Sequence, residues 1–130
     1  MTTFRRSIDI EDEIRTALAD YLTIYCRPLP RDFQTPCILV TQVGGVDENG
    51  QVDTFDVVLD ARATNSADAN ELLRDAVGLL RQIARDQTTA IRYVTVNSSG
   101  SWGSDPVRPD LCMYSARLSV VAHLESKTIN

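Results

Sequence analysis

The side chains able to do chemistry are few. Cys26, Cys37 and Cys112 supply the only thiols and His123 the only imidazole in 130 residues. A thiol nucleophile needs a base close by to make its thiolate. His123 lies on the same strand-like run as Cys112, and their odd separation points them to opposite faces of that strand. Cys26 and Cys37 would meet His123 only through tertiary structure. An odd cysteine count with no CxxC pair argues against a disulfide framework and against a zinc site. The thiols read as packing groups and the histidine as a solvated edge residue.

The carboxylates offer little more. Asp56 and Asp60 stand four apart on the polar face of one predicted strand, roughly 13 Å by strand rise, too far for a direct acid–base pair. The stretch Asp47-Glu48-Asn49 lacks the alternating ligands and closing glutamate of a calcium loop and reads as a turn. Gly44-Gly45 is followed by neither Lys-Ser nor a helix start, so it is no phosphate loop. Gly100-Ser101-Trp102-Gly103 lacks the spacing of a serine elbow. No catalytic, cofactor-binding or metal-binding set emerges, and the chain reads as an assembly domain, not as an enzyme.

Composition sets the frame. A length of 130 residues fits one domain, 1–130, and 43% hydrophobic with 24% charged residues suits a globular core. The net charge of −5 argues against a grip on nucleic-acid phosphates, although an acidic surface tolerates passing DNA. No run approaches the roughly 18 apolar residues of a membrane span, and Met1–Arg6 leads into the acidic run Asp9–Glu13 instead of an apolar signal core. The expectation is a cytoplasmic chain with no membrane partner.

The elements that would carry these residues follow from periodicity. Ile10, Ile14, Ala17, Leu18, Tyr21, Leu22 and Tyr25 share one helical face, with Asp9 or Ser7 as N-cap and Pro28 and Pro30 as terminators. A short strand at Leu22–Arg27, where this helix frays, is the alternative for its end. The β-branched run from Cys37 to Val43 predicts a strand that turns at Gly44-Gly45. Asn49-Gly50 suits the hairpin to the next, antiparallel strand, in which Phe55, Val57, Leu59, Ala61 and Ala63 alternate with polar positions. Asn65 or Ser66 caps a second helix carrying Ala69, Leu72, Leu73, Ala76, Val77, Leu80, Ile83 and Ala84 on one face. Gly78 lies on its polar side, either for close packing or as a tolerated residue. Strands at Ile91–Asn97 and Leu111–Leu124 flank Ser98–Asp110, whose glycines, prolines and serines predict an exposed loop around Trp102. The fold class is α+β: a small antiparallel or mixed sheet of four to five strands on two helices, ordered α-(β)-β-β-α-β-β.

Trp102 serves an interface or folds back over the sheet edge. A long edge strand at Leu111–Leu124 would need a covering neighbour, such as the next subunit of a ring.

Together these pieces resemble the tail terminator proteins of long-tailed bacteriophages. The resemblance spans most of the chain. It rests on the opening helix, the strand and turn Pro36-Cys37-Ile38-Leu39-Val40-Thr41-Gln42-Val43-Gly44-Gly45, and the strand Asp53-Thr54-Phe55-Asp56-Val57-Val58-Leu59-Asp60-Ala61-Arg62. It also rests on the helix start Ser66-Ala67-Asp68-Ala69-Asn70-Glu71-Leu72-Leu73 and on Tyr114-Ser115-Ala116-Arg117-Leu118-Ser119-Val120. These are patterns of order and spacing, not an invariant signature.

The resemblance implies a virion structural protein at the head-proximal end of the tail, assembled in the host cytoplasm. Its homo-hexameric ring would cap the tail tube, end polymerisation and present an interface to a head-completion or neck protein. No cofactor is implied, and DNA passes through without specific binding. Gly44, Gly45, Asp47, Glu48, Asn49, Gly50 and Gln51, with Trp102, Gly103 and Asp105, become candidate contacts to other subunits or to the tail-tube protein. Asp56 and Asp60 become candidates for an acidic lumen that lets DNA slide. Another head–tail connector, such as a head-completion, stopper or neck protein, is the nearest alternative reading, and a small hydrolase using Cys112 or His123 the distant one.

Overall fold

The computed structural model describes residues 1–47 and 50–130. Its elements are β1 (Thr2–Arg6), α1 (Ile10–Leu18), β2 (Ile24–Cys26), β3 (Cys37–Asp47), β4 (Val52–Ala63), α2 (Ser66–Asp86), β5 (Ile91–Ser104), β6 (Cys112–His123) and β7 (Glu125–Ile129). Five strands form one mixed sheet in the order β2-β3-β4-β6-β5, in which only the β2–β3 pairing is parallel. β1 and β7 pair with each other in a separate antiparallel ribbon. The α+β class and the two helices are as expected, and the predicted order lies inside the observed one with a strand added at each end.

Both helices cover one face of the sheet. Asp9 caps α1 by accepting the Asp12 amide at 3.2 Å, and Ile10, Ile14 and Leu18 are fully buried one turn apart. Asn65 caps α2 by accepting the Asp68 amide at 2.9 Å, and Gln87 ends it in a left-handed conformation. Leu73, Ala76 and Leu80 of α2 meet Val57 and Leu59 of β4 and Leu118 and Val120 of β6 in the main core. Each fully buried leucine contributes about 1.5–3 kcal/mol through its removal from water. Among the described residues no helix is long and apolar enough to cross a membrane.

Four expectations need correction. The first helix stops at Leu18, although the helical spacing runs on to Tyr25, and the short strand expected as the alternative within Leu22–Arg27 forms at Ile24–Cys26, paired in parallel with Ile38–Val40. β3 does not turn at Gly44-Gly45 but continues to Asp47. A Cβ on Gly44 would stand 3.2 Å from Asp56 Oδ2, and one on Gly45 3.2 Å from the Thr54 carbonyl, so these glycines permit close approach within the ladder. The segment predicted as a loop from Ser98 is strand as far as Ser104, paired to β6 across irregularities near Ile91, Val96 and Ser99, with Gly100 at φ 81°. β6 is therefore an inner strand, and β5 is the long edge.

The opposite face is covered only at one end. There Phe33, Cys37 and Leu111 form a small second cluster, with Arg108 stacked 5.3 Å from the Phe33 ring centre. The other end, towards the β3–β4 hairpin, carries Thr54, Asp56, Ser119 and Arg117 on a polar surface.

Candidate functional site

The groups able to do chemistry are dispersed. Cys37 is fully buried, and burial pushes its thiol up to about 11. Cys26 donates to the Glu11 carbonyl at 3.2 Å, and burial raises its thiol as well. Cys112 and His123 occupy the two ends of β6, roughly 36 Å apart by strand rise. Asp56 and Asp60 lie half-buried on the face away from the helices, where Asp60 accepts a hydrogen bond from the Ser115 hydroxyl. Among the described residues no three His, Cys, Asp or Glu side chains gather as a metal site requires.

The predicted interface residues divide between two ends of the sheet. Gly44, Gly45 and Asp47 lie on the last part of β3, and Gly50 and Gln51 lead into β4 with Gly50 at φ 74°. Glu48 and Asn49 lie outside the described residues. Gly103 pairs with Met113, which pairs with Arg62, whereas Asp47 pairs with Asp53 nine residues earlier on β4. The two candidate segments are thus about 30 Å apart along the strand direction. Trp102, on β5, pairs with Tyr114 of β6 and is 61% exposed.

Asp105, expected on an exposed loop, is instead 2% exposed. It accepts Arg62 Nε at 2.6 Å and the backbone amides of Val107 at 2.8 Å and Arg108 at 3.1 Å. Burial alone would raise its carboxyl, but the Arg62 bond and the two amides together hold it below the ordinary carboxylate range. Its acceptor capacity is used within the chain, where it ties the loop after β5 to β4.

Three features escaped the sequence reading. Glu11 accepts Arg27 at 2.6 Å and the Gln42 amide at 2.9 Å, stitching α1 to β3; burial opposes its ionisation, and these partners outweigh that and lower its pKa. Asp53 is 4% exposed, and among the described residues neither of its carboxylate oxygens has a hydrogen-bond partner. Its signal was legible, since it shares the parity of Phe55 and Val57 on the buried side of β4. The third is the β1–β7 ribbon, exposed throughout β1 and along β7 after Glu125, whose strands pack on each other and, among the described residues, hardly on the rest. It leaves the same end of the sheet as the β3–β4 hairpin, where the Leu124 amide bonds the Gln51 carbonyl at 3.2 Å.

Compared with models of known protein families and with characterised proteins, the chain matches none.

Proposed function

We propose that this chain is a virion structural protein, the subunit of a ring that caps the tail tube of a long-tailed bacteriophage. The ring ends tube polymerisation and offers the docking face for the neck of the filled head. One observation carries the reading: a two-stranded ribbon, β1–β7, leaves one end of a well-packed sheet, its strands packing on each other and, among the described residues, hardly on the rest. A two-stranded ribbon is marginally stable alone in water, so such arms are suited to partners that cover them. The patterns of order and spacing that resemble tail terminators add the identity of those partners: further copies of the chain, the tail-tube protein and a neck protein.

In this reading the hairpin end meets the tube or the adjacent subunit. The half-covered face with Asp56 and Asp60 borders the lumen, where negative charge keeps DNA from sticking. The test is deletion from the phage that carries the gene. Tails of uncontrolled length that fail to join heads are expected; tails of normal length that mature into infectious particles would refute the reading.

A further inference from the structure

Asp53 is stranded within a single copy of the chain. A buried carboxylate with no partner on either oxygen among the described residues is unfavourable until a cation or donors reach it. It forms the inner wall of a pocket of about 390 Å³, bordered by Ser7, Ile8, Gln42, Gly45 and Phe55. The described lining includes no second carboxylate, histidine or cysteine to complete a metal site. The chemistry that fits is a cationic hydrogen-bond donor.

The pocket lies beside β3, whose Gln42, Gly44 and Gly45 line it. β2 pairs with Ile38–Val40 alone, so among the described residues no strand covers β3 beyond that point. On the opposite flank Arg81 and Arg85 of α2 line a second pocket of about 380 Å³ with Arg92 and Tyr93. Arg92 is engaged with the carbonyls of Thr89 and Ile91. Arg81 and Arg85 are exposed, and neither enters a salt bridge among the described residues. The ladder sets their height: Ile91, at the start of β5, pairs with Ala122, which pairs with Asp53. Carboxylate and arginines therefore lie at one level on opposite flanks. The three register shifts in β5 blunt that edge as a template for strand addition, which leaves side chains to make the contact.

We propose that the α2–β5 flank of one copy docks beside β3 of the next, with the guanidinium of Arg81 or Arg85 on the Asp53 carboxylate. Both Asp53 oxygens are closed off in the single copy, so the surrounding side chains shift on docking to admit the planar fork of arginine, which fits a carboxylate bidentately. A head-to-tail contact repeated by one rotation closes into a ring. The contact rests on the ring reading for the existence of self-association and adds to it the residues that make the joint.

The test is analytical ultracentrifugation of the full chain as wild type, as Asp53→Asn, and as Arg81→Glu with Arg85→Glu. The wild type should associate, and each variant should associate at least about tenfold more weakly. An equimolar mixture of the two variants retains one intact contact per pair, so it should form 1:1 dimers and nothing larger. The Asp53→Asn monomer should also melt above the wild-type monomer, because its carboxylate is no longer stranded; this separates a lost contact from a lost fold. A wild type that stays monomeric at millimolar concentration, variants that associate like wild type, or a mixture without dimers would overturn the proposal. Rings unaffected by either variant would sink this contact and leave the ring reading standing; normal tails without the protein would sink the ring reading itself.

Discussion

Arg62 and Asp105 form the most deeply buried ion pair among the described residues, at 8% and 3% side-chain exposure. Removing one partner strands the other, so Arg62→Ala or Asp105→Ala should each cost about 3–5 kcal/mol in urea unfolding. Replacing both with apolar residues of similar volume should cost far less. The Asp105 carboxyl is held below its ordinary value of 3.8 in the folded chain, so the folded state binds that proton less readily. Its contribution is full above that value and is lost as the pH falls through the lower folded one. Acid titration of stability should therefore be shallower in Asp105→Asn than in wild type. Cys37 acts at the alkaline end: its thiol rises from 9.0 to about 11, so its contribution is full below pH 9 and fades towards 11. At pH 8 iodoacetamide should leave Cys37 unmodified in the native chain and label it after unfolding, as read by mass spectrometry.

Among the elements, α2 shows what a local pattern can determine. It spans 21 residues, and its cap and buried stripe are both written within one stretch of chain. Gly78 sits on its exposed side, where an added Cβ would meet nothing within 4 Å, so no packing demands a glycine there. Gly78→Ala should stabilise the chain by about 1 kcal/mol, seen as a higher Tm. β4 was almost as legible, because alternation from Val52 to Ala61 separates a buried face from a less buried one, and only Arg62 departs from it. Elements set by distant partners were legible only in part. Tyr21, Leu22 and Tyr25 continue the spacing of α1, yet only pairing with Ile38–Val40 decides that the chain is extended at Ile24. The serines and glycines of β5 read as loop because its pairing to β6 is interrupted, so the usual alternation is broken. Asp105 was misplaced for the same reason: its partner Arg62 lies 43 residues away.

As a whole, the molecule divides into a packed centre and one exposed arm, the β1–β7 ribbon. Helices on one face and two short loops on part of the other leave the hairpin end and both flanks for neighbours. The β1–β7 ribbon has a further consequence, one of timing. Arg6 and Glu125 meet across 119 residues, so their strands pair only after the core has brought both ends together, and each residue then ordered costs about 1–2 kcal/mol of backbone entropy. With almost no apolar burial to offset that cost, the ribbon should be the last part to form and the first to open. Amide hydrogen exchange on the isolated chain should find Thr2–Arg6 and Glu125–Ile129 nearly unprotected while β4 and β6 resist for hours. Slow exchange in the ribbon from the outset would contradict this. In an assembled particle the same amides should become slow, so that the arm acquires its permanence from what it grasps.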